Sequence, residues 1–173
     1  MVMLLISIMA GIVIPLIQPQ KFQMDAAVVV VASTFTAQQR GSILRQHNMV
    51  IVVDSANGWL RVHRDADNDG VIDTDENFSV IQLDEGVVFG RASATARPLG
   101  GAMNTFLDTQ DGMPALTFRR NGSSSAESIL YLTSARASVS GAFPIDTRAI
   151  EIERATGRVR CYSFQPGSWI QTC

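Results

Sequence analysis

MVMLLISIMAGIVIPLIQPQKF fills residues 1–22, and its first part, Met1–Ile17, carries no charge and only one polar side chain, Ser7. At ~1.5 Å per residue the run spans roughly 25 Å, a little less than the ~30 Å hydrocarbon core of a bilayer. A cleaved signal peptide would have basic residues ahead of the run and a small-x-small site after it. Nothing basic precedes it here, and IPLIQPQKF is no such site. A buried core helix would be amphipathic, which this run is not. A membrane anchor accounts best for these features. Pro15 is compatible with it, because a neighbouring helix or a local kink makes good the lost hydrogen bond.

Downstream, Phe22 to about His47 continues as helix. Ala26, Ala27, Ala32 and Ala37 favour it, and Gln38, Gln39, Arg40, Arg45 and Gln46 supply a polar face. Val28–Val31 dissent, since β-branched residues prefer strands. Phe22, Ala26, Val29, Val30, Ser33 and Ala37 nevertheless recur at helical spacing. Gly41 weakens the end of the element.

From Met49 the pattern changes to short strands. MVIVVD (49–54) and WLRVHR (59–64) flank Asn57-Gly58, a hairpin signal. FSVIQLD (78–84) and GVVFG (86–90) follow. Residues 91–114 show little pattern and are expected to form a long loop. ALTFRR (115–120) and ESILYLT (127–133) are expected to pair as a second hairpin, TRAIEIER (147–154) and RVRCYSF (158–164) as a third. The expected fold class is α+β: a long hydrophobic N-terminal helix and a mostly antiparallel sheet domain. The divisions are 1–21 (hydrophobic helix), 22–48 (its amphipathic continuation) and 49–173 (globular β domain).

With 173 residues, 46% of them hydrophobic, there is room for one anchor and one modest core. The net charge of −2 divides unevenly. Residues 1–96 carry six basic and ten acidic side chains, whereas 97–173 carry eight arginines and six acids. A global electrostatic attraction to nucleic acid is excluded, but a local arginine patch is not. His47 and His63 are the only histidines. Neither lies in HExxH or beside a GxSxG serine, and no glycine-rich phosphate loop occurs, so no catalytic residues and no small-molecule substrate are assigned. The methionines, three of them within Met1–Met9, fit membrane or core filling.

Residues 65–76, DADNDGVIDTDE, concentrate six acids in twelve positions. Counted from Asp65, acids fall at positions 1, 3, 5, 9 and 12, with Gly70 at 6 and Ile72 at 8, the spacing of an EF-hand calcium loop. Ca²⁺ requires several hard oxygens at once. Asp65, Asp67, Asp69, Asp73 and Glu76 would supply carboxylates, and Val71 its carbonyl. The flanks read as strands rather than helices, so the competing reading is a solvated acidic turn held by local Asx bonds. Cys161 and Cys173 cannot make a zinc site unaided. They close a small loop as a disulfide if the domain is exported, and stay free thiols in a reducing compartment.

The order of these pieces resembles the GspH/FimT family of minor pseudopilins and minor type IV pilins. The matching segments are IMAGIVIP (8–15), GWLRVHRDADNDGVIDTDE (58–76), LTFRRNG (116–122) and ATGRVR (155–160). The resemblance implies a type IV pilin-like fold. It further implies a structural subunit of a type II secretion or type IV pilus fibre, held in the inner membrane by one span with its globular domain in the periplasm. Its partners would be other pilin subunits, met through the N-terminal helix. The FimT branch is associated with DNA binding through a GRxR-like motif, and Gly157, Arg158, Val159 and Arg160 match it, with Arg119 and Arg120 able to widen the face. That gives an alternative function, a DNA-binding minor pilin of an uptake pilus. Arg148 and Arg154 would extend the positive face, whereas Glu151 and Glu153 on the adjoining strand oppose it. The family's basic leader, glycine cut site and Phe-Thr-Leu-x-Glu start do not occur in this chain, and Met1 aligns inside the family's apolar helix. The expectation is a native start further upstream.

Overall fold

The structure, a computed structural model, describes residues 19–73 and 76–173. The expected anchor Met1–Ile17 lies outside the described residues. Among those described, no helix is long and apolar enough to cross a membrane.

Helix α1 runs Pro19–Arg45 and is continuous across the Val28–Val31 run and Gly41. The β-branched residues are accommodated because tertiary packing overrides their propensity: Val28 and Val31 are buried in the core. The helix gives way at Gln46, whose φ is +58°.

Among the described residues, ten strands form two antiparallel five-stranded sheets. The first has the order β3-β2-β1-β6-β5, from β1 (Asn48–Asp54), β2 (Trp59–Asp65), β3 (Phe78–Gln82), β5 (Asp108–Gln110) and β6 (Met113–Phe118). The second has the order β10-β9-β8-β7-β4, from β4 (Val87–Phe89), β7 (Ser128–Ser134), β8 (Arg148–Ile152), β9 (Val159–Gln165) and β10 (Ser168–Gln171). A short helix α2 (Ala135–Ser140) and a 3-10 turn (Pro144–Asp146) join β7 to β8.

The expected first and third hairpins form, as β1–β2 and β8–β9. The expected second one does not. ALTFRR and ESILYLT contribute β6 and β7, which lie in different sheets, β6 beside β1 and β7 beside β8. The intervening NGSSSA is a crossover. Their apolar residues enter one core from different sheets: Leu116 and Phe118 from the first, Leu130 and Leu132 from the second. The expected loop 91–114 also needs correction. Its last part is a hairpin, β5–β6, turning on Asp111 (φ +52°) and Gly112 (φ +75°). The Asp-Gly pair was the available signal.

One core unites helix and sheets. Met24, Val28, Val31 and Phe35 of α1 meet Met49, Ile51 and Val53 of β1, Leu60 and Val62 of β2, Leu130 and Leu132 of β7, and Ile150 and Ile152 of β8. Arg148 is nearly fully buried beneath the helix, where its Nε donates to Asp25 Oδ1 at 2.8 Å and its Nη1 to the Ile145 carbonyl at 2.8 Å. Each sheet has an outer face with its own cover. On the first, Val50, Val52 and Ala115 pack with Ile72 and Met113. On the second, Ile129, Tyr131, Ala149 and Tyr162 pack with Trp169. Residues 91–107 are fastened over that face: Arg97 stacks on Tyr162 (3.5 Å to the ring centroid) and donates to Glu151 at 2.6 Å. Tyr131 Oη accepts from the Arg97 amide and donates to the Gly100 carbonyl.

Between β7 and β8, Ser134 caps α2 and donates to Asp146 at 2.6 Å, while Arg136 grips the same carboxylate with two nitrogens. Burial pushes the Asp146 carboxyl up, but the bonds from Arg136 and Ser134 outweigh it and hold the group below its ordinary value. A lowered carboxylate pKa contributes stability above the ordinary value, and that contribution is lost as pH falls through the lowered one. Asp146→Asn should therefore cost roughly 1–2 kcal/mol at neutral pH, discounted because Arg136 is half-exposed. In chemical denaturation across pH, the gap from wild type should close as pH drops below the usual carboxylate range.

A Cβ at Gly41 would approach only Gln38 Oε1, at 3.9 Å. Gly41→Ala removes unfolded-state entropy without a clash, so it should stabilise the domain by about 0.5–1 kcal/mol, read as a higher melting temperature.

Candidate functional site

The acidic segment leaves β2 at Asp65 and re-enters the sheet at β3, which pairs with β2 from His63 opposite Phe78 to Trp59 opposite Gln82. It is a strand-to-strand loop. Its carboxylates fold the backbone: Asp67 Oδ1 accepts from the Asp69 amide (3.2 Å), and Asp69 Oδ1 accepts from the Val71 amide (2.7 Å). Glu76 closes the ring, Oε1 accepting from the Ala66 amide (2.7 Å) and Oε2 from the Asp73 amide (3.3 Å). Asn68 (φ +66°) and Gly70 (φ +85°) supply the left-handed residues that so tight a loop needs.

Asp65 differs from the others. It is fully buried, and its Oδ2 accepts from the Gly70 amide and from Asn48 Nδ2, each at 2.9 Å. Its Oδ1 is buried with no hydrogen-bond partner. A buried acceptor left unsatisfied costs roughly 1–3 kcal/mol, and more when charged. The carboxylates gather in two overlapping groups, Asp65 with Asp67 and Glu76, and Asp67 with Asp69 and Asp73. Within each group one oxygen per residue lies within 4.8 Å of the others. The spacing thus brings all five acids together, with Asp67 shared. Val71 is placed by its amide, as the residue after the chain reversal.

The residues that hold this loop to the sheet lie far from it in the chain and carry no local sequence signal. Gln110 on β5 donates to the Gly70 carbonyl (2.8 Å) and accepts from the Ile72 amide (3.4 Å). Asn48 donates its amide to Asn68 Oδ1 at 2.7 Å. A polar cleft of about 770 Å³ opens beside the loop, its lining including Asp67 and Asp69 together with Arg119, Arg120 and Asn121.

The arginine residues are distributed among acids. Gly157 and Gly122 place the β8–β9 turn against the turn after β6: a Cβ on Gly157 would come within 2.3 Å of the Gly122 carbonyl. Gln39 of α1 donates to both turns, at Gly122 and Thr156. Gly157 therefore has a packing reason of its own. Arg160 reaches Glu151 (3.5 Å) and Glu153 (3.8 Å), Arg158 is exposed, and Arg119 and Arg154 share a shallow groove with Glu127 and Glu153. Both histidines have local contacts. His47 Nε2 meets Arg64 at 2.9 Å, and His63 stacks on Phe78 with a pKa lowered by burial and then by Arg61.

Cys161 and Cys173 are joined, with Cα atoms 4.9 Å apart. The bond ties the chain end to β9, where β10 also pairs and the Thr172 amide donates to the Cys161 carbonyl at 2.8 Å. Trp169 on β10 packs edge-on against Phe164 and donates to the Thr95 carbonyl at 3.0 Å.

The outward face of α1 is the third surface of interest. The stripe Phe22, Ala26, Val29, Val30, Ser33 and Ala37, which in the sequence marks the helix, points to solvent, with Phe22 68% and Val29 59% exposed. A different set, Met24, Ala27, Val28, Val31, Ala32 and Phe35, faces the core. Residues 22–37 are therefore apolar on two faces, and the expected amphipathic continuation needs that correction.

The architecture, an N-terminal helix followed by antiparallel sheets, matches two solved structures of the minor pseudopilin EpsH from the type II secretion system of Vibrio cholerae. The first superposes with a TM-score of 0.53 at 12% identity, covering 84% of this chain and 99% of that one. The second gives 0.51 at 12% identity, covering 82% and 94%. At this identity the likeness is one of fold. No family model and no curated protein matches the sequence.

Opening the Cys161–Cys173 loop restores freedom to the unfolded chain. Cys173→Ser should cost ~3 kcal/mol by the chain-entropy estimate. Denaturant melts should show the loss, and Trp169 fluorescence should shift red as β10 frays. Unchanged stability on reduction would mean that β10 is held by its pairing alone.

Proposed function

We propose that the chain is a non-enzymatic minor pseudopilin, a structural subunit of a type II secretion or type IV pilus fibre. The observation that carries this is the second apolar face of α1. Phe22, Val29 and Val30 sit in solvent on a helix whose other face is already buried, and the sequence leading into it is the uncharged run Met1–Ile17. Exposed apolar surface of this extent calls for a covering partner. Neighbouring pilin helices, packed side by side in a filament, supply one. In this reading the run Met1–Ile17 waits in the inner membrane as a single span, with the globular domain in the periplasm, and moves into the fibre core on assembly. The fold shared with EpsH supports it. So does the Cys161–Cys173 bond, which suits an oxidising compartment.

A DNA-binding role has less support. Arg160 is engaged by Glu151 and Glu153, and the neighbouring arginines share their groove with acids, which lowers the local potential that phosphate contacts need.

Phe22→Lys with Val29→Lys tests the filament reading. Both positions are exposed, so the melting temperature should stay within about 2 °C of wild type. Recovery of the protein in sheared filaments should be lost, and the wild-type chain should fractionate with membranes before assembly. Wild-type-like assembly of the charged variant, or a full chain that is monomeric without detergent, would sink the reading. Salt-sensitive binding of duplex DNA, lost in Arg158→Ala with Arg160→Ala, would favour the uptake alternative instead.

A further inference from the structure

We infer that the β2–β3 loop is a calcium site built on strands. An acidic sequence alone would not carry this; the buried carboxylate of Asp65 does. That residue is fully enclosed at the end of β2, and one of its oxygens receives two donors while the other receives none. Native folds rarely leave a buried carboxylate oxygen unmatched unless something not made of protein completes it. Asp65 stands within a few ångströms of two further carboxylates, Asp67 and Glu76, so the missing neighbour is a cation.

The choice of cation follows from the donors. All are hard oxygens, and they come from positions 1, 3, 5, 9 and 12 of a twelve-residue loop whose bend is made by Gly70. They fall into two overlapping groups that share Asp67, an irregular arrangement rather than an octahedron. Ca²⁺ accepts six to eight oxygens in flexible geometry, whereas Mg²⁺ demands a near-ideal octahedron and keeps its own water. The Asx bonds within the loop hold the carboxylates by one oxygen each and leave acceptor capacity on the others.

Occupancy would be felt beyond the loop. Ile72 packs on Val50 and Val52, and Gln110 holds the Gly70 carbonyl, so a bound ion stiffens the cover of the first sheet. Affinity in the 10⁻⁴–10⁻³ M range is expected, as for extracellular modules. The inference is independent of the filament reading: it concerns the folded domain and holds or fails without assembly.

The test is a calcium titration of the EDTA-stripped full chain in detergent, read by thermal melting and by equilibrium dialysis with radioactive calcium. At ten times the dissociation constant the melting temperature should rise by about 3–6 °C, and dialysis should give about one ion per chain. Asp67→Asn with Asp69→Asn keeps oxygen acceptors for both Asx bonds and removes two charges on exposed residues. It should melt as the stripped wild type does and lose the calcium response. Asp65→Asn gives the same loss from the buried side, and where it lowers the baseline the dialysis result decides. No shift and no bound ion at 10 mM calcium would overturn the site. So would an equal rise with magnesium, or with sodium chloride at matched ionic strength, since simple charge screening would then suffice.

Discussion

Everything else in this domain depends on the burial of one face of α1 between two sheets. Met24, Val28, Val31 and Phe35 are covered by side chains from both, and the sheets meet under the helix rather than stacking on each other directly. Fully burying a side chain of that size contributes roughly 1.5–3 kcal/mol. The helix is therefore the element that makes two five-stranded sheets into one body. Arg148 shows how tightly the interface is specified: a buried guanidinium is costly unless met, and Asp25 with the carbonyls of Ile145 and Thr147 meets it.

A helix used in this way has its outer face left over. On a helix belonging to one domain alone, that face would be charged. Here Phe22, Ala26, Val29, Val30 and Ala37 are exposed, with Ser33 the polar member of the stripe and the half-exposed Asp25 at its edge pairing with Arg148. The same residues thus answer to two packing problems, one solved within the chain and one that requires a neighbour. The sheets have an analogous arrangement. Each buries its inner face against the helix, and each has an outer face covered by an irregular segment: Ile72 of the acidic loop on the first, and residues 91–107, beside Trp169 of β10, on the second. That explains why β1 and β7 are buried on both faces although antiparallel strands commonly alternate.

The acidic loop and the first sheet are therefore one mechanical unit. Its backbone is shaped by its own carboxylates, its apolar residue plugs the sheet, and Gln110 and Asn48 pin it from two other strands. The adjoining turns at Gly122 and Gly157 are equally tight, locked through Gln39 to the helix. A glycine that motif comparison assigns to a recognition sequence turns out to be needed for close packing.

By itself the sequence determined whatever is written in local pattern. That includes the long helix, the Asn57-Gly58 and Ala155–Gly157 hairpins, the α+β class, and the twelve-residue acid spacing, because turn chemistry and periodicity act over a few residues. Tertiary structure decided the rest. ALTFRR and ESILYLT look like hairpin arms, yet they part to separate sheets, β6 beside β1 and β7 beside β8, and face the shared core from two sides. Which stripe of α1 is buried was undecidable from periodicity, since both stripes are apolar and only the shape of the sheets selects one. The clamp from Gln110 and the unmatched oxygen of Asp65 carry no sequence signature at all. They exist because the fold sets Gln110 of β5 against a loop forty residues away, and burial is a property of the assembled fold rather than of any residue within it.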